Sequence, residues 1–165
     1  MQRHLRLNVG RVHYFPKKGN NIMAIRQLSV FLENRHGTLI EVTDLLAKEG
    51  IDIRAMSLAD TQDFGILRLI VNDPVAAKTA LAKIGFVASV NEVTAVAIND
   101  NPGALSEVIH VMAENDINIE YMYAFLSTHK GNAYVVLRVT DNDHTAEVLE
   151  KNGIVLVTED DVRVL

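Results

Sequence analysis

Leu28-Ser-Val-Phe-Leu-Glu-Asn-Arg-His-Gly-Thr-Leu39 and Thr94-Ala-Val-Ala-Ile-Asn-Asp-Asn-Pro-Gly-Ala-Leu105 are two versions of one stretch, with Gly37 standing on Gly103. In each, apolar residues fall at every second position (Leu28, Val30 and Leu32, then Val96 and Ile98) before the chain enters a turn. A period of two is that of a half-buried strand. The match continues outward. Gly50-Ile-Asp-Ile53 lines up with Asp116-Ile-Asn-Ile119 in the same register, and Ile84-Gly-Phe86 with Asn152-Gly-Ile154 after a two-residue insertion. An internal repeat of this length decides the architecture before any single residue does.

Both copies parse alike. After the first strand, Leu39, Val42, Leu45 and Leu46 share one helical face, as do Leu105, Val108, Ile109 and Met112. Gly50 ends the first helix in the manner of a left-handed cap. Ile51, Ile53 and Ala55, and likewise Ile117, Ile119, Tyr121 and Tyr123, return to alternation as second strands. Third strands follow at 64–71 and 133–139. Second helices start near Asp73-Pro74 and Asp141 to His144, where Asp caps free N–H groups and Pro suits a first turn. Fourth strands are expected at 86–93 and 154–157. The order βαββαβ is the ferredoxin-like unit, with two helices on one face of an antiparallel four-stranded sheet. The fold class is therefore α+β, two such modules in tandem, spanning 23–93 and 94–165. Each leaves one sheet face bare, and the other copy is the natural cover, through sheet edges or faces.

Composition narrows the function. The chain of 165 residues contains no cysteine, which excludes disulfides, thiolate metal sites and a cysteine nucleophile, and suits a reducing, cytoplasmic setting. No apolar run is long enough to cross a bilayer. Residues 1–22 carry Arg3, Arg6, Arg11, Lys17 and Lys18 and no acid, so the body behind them is clearly acidic, which argues against nucleic acid. This basic extension stands outside both modules. It reads as a short anion-seeking arm, as a disordered or loosely docked extension, or as sequence ahead of a native start at Met23.

The turns carry the chemistry. A helix start has unpaired N–H groups and a partial positive charge, and a glycine just before it lets a ligand approach the backbone. A carboxylate suits that place, and Asn34, Asp100, Asp52 and Asn118 offer oxygens for an ammonium group. The same residue types also make any ordinary helix-capping turn.

The pattern Asp100-Asn-Pro-Gly-Ala-Leu105 followed by Ile117-Asn-Ile119, present twice in related form, resembles the ACT-domain family, over residues 25 to 165. That resemblance implies regulation rather than catalysis, with an amino acid held between two modules by the first turn of one and the second-strand start of the other. Carried over by position, one site uses Asn34, Gly37, Thr38 and Leu39 with Asn118, and the other Asp100, Pro102, Gly103, Ala104 and Leu105 with Asp52. Copy one departs from the family pattern with His36 in place of Pro and Asp52 in place of Asn; His36 is a further candidate for a ligand carboxylate. No cofactor is implied. The expected partners are a small amino acid, a second copy of the chain in a homodimer, and a metabolic enzyme or regulator acted on in trans. The alternative is a protein-interaction module that has lost ligand binding.

Other features point less far. His36, His110, His129 and His144 lack metal-site spacing. Tyr121, Tyr123 and Phe125 recur every second residue as a stacking surface would, without basic neighbours. Glu159, Asp160 and Asp161 read as a solvated turn at a strand end, and no nucleophile motif anchors a catalytic triad.

Overall fold

The computed structural model describes residues 24–60, 63–126 and 131–164, so the basic extension, Met23 and His129 lie outside the described residues. In chain order the elements are β1 (Ala24–Glu33), α1 (Thr38–Lys48), β2 (Ile53–Asp60), β3 (Phe64–Val71), α2 (Pro74–Lys83), β4 (Val87–Asn99), α3 (Ala104–Glu114), β5 (Ile119–Leu126), β6 (Asn132–Val139), α4 (Asn142–Lys151), β7 (Val155–Leu156) and α5 (Glu159–Val164). The strand-helix order is βαββαβ twice, with antiparallel pairing throughout.

One difference from the sequence reading shapes the whole molecule. The fourth strand of the first copy and the first strand of the second are a single unbroken strand, β4, and position 93/94 falls inside it. The reason is local: no Gly or Pro stands between Gly85 and Pro102, so nothing breaks the extended chain. β1 pairs with the first part of β4, from Phe31↔Val87 to Ala24↔Thr94. β6 pairs with the second part, from Thr94↔Leu137 to Asn99↔Asn132, where β7 also joins at Val96 and Ala97. The sheet therefore runs β2-β3-β1-β4-β6-β5, with β7 beside β4.

Each module buries its own helix-facing core. In the first, Leu28, Val30 and Leu32 of β1 and Leu67, Leu69 and Val71 of β3 meet Val42 and Leu46 of α1 and Ala77 and Leu81 of α2. In the second, Val96, Val135, Leu137 and Val139 meet Val108 and Met112 of α3 and Leu149 of α4. A third core holds what the alternation sends to the other face. Ile25, Ala55 and Ile70 of the first module pack with Val93, Ala95, Ala97, Tyr134 and Val136, and with Val157 and Val162 near the chain end. The continuous sheet thus folds upon itself, bare face to bare face, with α1 to α4 outside, and β2 and β5 at its two ends approach each other. Edge and face are both used to cover the open sheets. Burying fully a side chain such as Ile25 or Ile70 contributes about 1.5–3 kcal/mol.

The acidic end is corrected. Glu159, Asp160 and Asp161 do not form a solvated turn; they open α5. Asp161 is buried, and one of its carboxylate oxygens accepts from both the N–H and the hydroxyl of Thr158 at 2.7 Å. Glu159 accepts from the Arg26 backbone N–H at 2.6 Å and from its Nε and Nη2 at 3.0 and 2.9 Å. Acids at a helix start satisfy free N–H groups, which is why an acid-rich tail folds here.

Candidate functional site

The chain holds four longer helices that cover its sheet, and their starts are of two kinds. α2 and α4 are capped by side chains: Asp73 accepts from the N–H groups of Val75 and Ala76, and Asp141 from that of His144. α1 and α3 are preceded by Gly37 and Gly103, with φ of 89° and 95°, and neither start has a side-chain cap. The left-handed conformation is one that glycine adopts without cost. An added Cβ at either glycine would meet nothing within 4 Å, so the backbone there is open to an incoming group. Around the first turn, Arg35 lies 3.4 Å from Glu33 and 3.1 Å from Glu41. The hydrogen bond with Glu41, then its charge, raises the Arg35 pKa. Thr38 is buried, and its hydroxyl donates to the Arg35 carbonyl at 3.1 Å, which ties the turn to the helix.

The remaining candidates are distributed as follows. Asn34 and His36 are exposed in the first turn, with the Asn34 N–H donating to the Asp63 carbonyl at 3.0 Å; Leu39 is 37% exposed on the first turn of α1. In the second, Asp100 and Pro102 are exposed, Ala104 is buried and Leu105 half-buried. The Asp100 N–H donates to the Gly131 carbonyl at 2.9 Å, the counterpart of the bond at Asn34. Asp52 is exposed at the start of β2, where its N–H donates to Asn72 Oδ1 at 3.0 Å and its carboxylate pairs with Arg54 at 3.2 Å. Asn118 is exposed just ahead of β5.

The register shows which of these meet. Asn34 follows the far end of β1, while Ile119 pairs with Val139 of β6, a level that Thr94↔Leu137 and Ala24↔Thr94 set near the start of β1. Counted by strand register, Asn34 and Asn118 are about eight residues out of step. Asp52 is level with the start of β1, whereas Asp100 follows Asn99, several residues beyond it in the other direction. The two glycine turns lie at opposite ends of the sheet.

Between the modules lies a polar group of residues that the sequence reading did not single out as a unit. The Gln27 amide is fully buried. Its nitrogen donates to Ser29 Oγ at 3.0 Å and to Tyr121 Oη at 2.7 Å, and its oxygen accepts from Tyr123 Oη at 2.9 Å. Burial, and then the neighbouring Tyr121, push the Tyr123 hydroxyl above its ordinary pKa, so it stays a donor. The tyrosine ladder noted in the sequence is this seam, and contrary to the sequence reading it has a basic neighbour, Arg68, which strand pairing brings over the Tyr121 ring. Among the described residues there is no cluster of three or more metal-ligating side chains, and no helix is long and apolar enough to cross a membrane.

Paired ferredoxin-like modules that share a strand and present an uncapped, glycine-led helix start in each half are the architecture of a tandem ACT protein. The family described as the ACT domain pair matches residues 23–165, and the chain belongs to it. Protein BT0572 from Bacteroides thetaiotaomicron is 40% identical over 87% of this chain and 98% of that one, with a TM-score of 0.81. The regulatory subunit of aspartate kinase from Thermus thermophilus, in its ligand-free form, is 17% identical over 76% of this chain and 91% of that one, with a TM-score of 0.55. Aspartokinase III of E. coli, in complex with aspartate and ADP, is 19% identical over 78% of this chain and 32% of that one, with a TM-score of 0.51. At such identities the last two share the fold. None of the curated proteins matches the chain.

Proposed function

We propose that the protein is a non-catalytic amino-acid sensor whose ligand is held between ACT modules of two copies of the chain and which controls an enzyme or regulator in trans. The observation that carries this reading is the contrast among the helix starts: Asp73 and Asp141 close two of them, while Gly37 and Gly103 leave the other two without a side-chain acceptor. An approaching carboxylate replaces the missing cap, accepting from N–H groups at the positive end of the helix dipole. The ammonium group then needs oxygens. Asn118 and Asp52 supply them from the second-strand starts, with a second copy of the chain completing the site. Regulation follows by linkage: a ligand shared between copies favours the assembled state, and by reciprocity assembly favours the ligand. A regulatory-subunit neighbour of like fold agrees with this role.

The test is a thermal-shift series of the chain against the amino acids, with sedimentation analysis of any that bind. The expected result is a dose-dependent rise in Tm for one amino acid, a shift toward the larger species, and loss of both in Gly103→Val and Asn118→Ala. A folded protein that no amino acid stabilises at millimolar concentration is instead the interaction module. Binding without any change in assembly leaves a sensor whose signal does not pass through the dimer.

A further inference from the structure

Four polar side chains cross the buried sheet face in one line. Ser57 pairs with Arg68, Arg68 with Ser29, and Ser29 with Ser89, so the row runs over β2, β3, β1 and β4. Side chains paired in this way stand roughly 5 Å apart. On one flank lies the Gln27 seam under Tyr121 and Tyr123. On the other is the apolar row Ile66, Phe31 and Val87, where Phe31 is 49% and Val87 67% exposed. The polar row is the rim at which the second module stops covering the first. A groove of about 310 Å³ opens from Phe31 and Val87, is lined further by Phe64 and Phe86, and ends against Glu33, Arg35, Thr38 and Glu41 at the start of α1.

The donors and acceptors of this rim do not balance. Ser29 is 7% exposed, and its Oγ accepts from Gln27. Its own proton has no acceptor among the described residues, and the same holds for the hydroxyl proton of Tyr121, whose oxygen also accepts from Gln27. Arg68 lies over the Tyr121 ring with Cζ 3.9 Å from the centroid. Stacking occupies one flat face of the guanidinium and leaves its edge N–H groups, and among the described residues no carboxylate pairs with it. Glu33, at the end of the same face, is engaged by Arg35, and Glu120 by Arg138. A half-buried guanidinium beside hydroxyl protons that lack protein acceptors is a set of donors suited to an anion.

We infer that this rim is a binding site for the carboxylate of a small apolar organic acid that carries no ammonium group; its carboxylate end, at Arg68, Ser29 and Ser57, is distinct from the N–H groups of the two helix starts. Arg68 and the hydroxyls of Ser29 and Ser57 donate to the carboxylate, and the apolar body lies along Phe31, Ile66 and Val87 toward the groove. An amino acid is disfavoured here because the row offers its ammonium group no carboxylate.

Isocaproate, isocaproamide and leucine share one skeleton and differ in these groups, so calorimetric titration of the full chain with the three tests the assignment. Isocaproate binds; the amide and leucine bind at least about tenfold more weakly, the loss expected when a charge-assisted contact is missing or an ammonium group goes unpaired. Arg68→Gln lowers isocaproate affinity by a similar factor, and Phe31→Ala weakens isocaproate but not acetate. Ser57→Asp guards against a merely unfolded variant: the new carboxylate pairs with Arg68, raises Tm and abolishes binding. Gly103→Val and Asn118→Ala leave isocaproate binding unchanged, which separates this site from the amino-acid sites. The inference is overturned if isocaproate does not bind, if isocaproamide binds equally well, if leucine binds equally well to the chain carrying both Gly103→Val and Asn118→Ala, if Arg68→Gln or Ser57→Asp retains full affinity, or if inorganic phosphate binds as tightly and displaces it.

Discussion

The two modules repeat each other closely in backbone and differ in what covers their inner sheet faces. Gly37 and Gly103 have φ values within a few degrees of each other, and both turns tie back to the loop before the third strand by the same hydrogen bond. Yet Phe31 in the first module is half exposed, while its repeat counterpart Ala97 in the second is 7% exposed and packs with Tyr134 and Val136. The difference arises from chain order. The first module's last strand continues within β4 into the second module, whereas the second module's last strand, β7, is followed by α5, and Val157 and Val162 there pack against the inner sheet face. A duplicated sequence thus fixes local geometry twice, but among the described residues only the second copy is followed by a helix, α5, that packs on its inner sheet face.

That asymmetry can be attacked by exchanging the residues concerned. The largest effect is expected from Ala97→Phe, which forces the first module's aromatic ring into the closed end of the second and destabilises the protein by about 3 kcal/mol in denaturant titration, through overpacking. A mild effect there would show that α5 yields readily and that the closure is loose. Next come Gly37→Ala and Gly103→Ala, which place a side chain at positive φ and should each cost about 1–2 kcal/mol, equally in both modules. Unequal costs would break the equivalence of the turns.

A smaller effect concerns what holds α5. Burial works to raise the Glu159 pKa, but hydrogen bonds from the Arg26 side chain and backbone, with its charge, outweigh it and hold the carboxyl below the usual range. A depressed folded-state pKa contributes stability that is present above the ordinary glutamate value of about 4.3 and lost as the pH falls through the folded value. Glu159→Gln should therefore cost about 1 kcal/mol at neutral pH, with the gap to wild type closing in acid unfolding experiments. Least of all, Phe31→Ala should change stability by under about 0.5 kcal/mol, because half the ring is already in water.

Much of this was legible in the sequence. Period-two and helical patterns marked the strands and the four longer helices, and the glycines before α1 and α3 marked turns that require positive φ. The join at Val93 and Thr94 was hidden because the extended pattern is the same on both sides of it. α5 was hidden because acids at a helix start look like acids in solvent until Asp161 is seen capping Thr158. The seam was hidden because Gln27 and Ser29 occupy the alternate positions that a lone sheet would give to water. For the candidate site, the turns could be read from local residue types. Which second-strand start serves which turn could not, since that depends on long-range pairing that local residue types do not encode.

The shared strand also bears on how the protein is made. The first module has all its strands once Val93 has left the ribosome, and it can close while the rest is still being translated. Residues 94–99 then project from a finished half as a strand whose free edge waits for β6. At about 5–20 residues per second that wait lasts roughly two to eight seconds. During it the nascent chain offers an apolar strand to any neighbour, so crowded polysomes would be where this protein is most exposed to exchanging strands with its own copies.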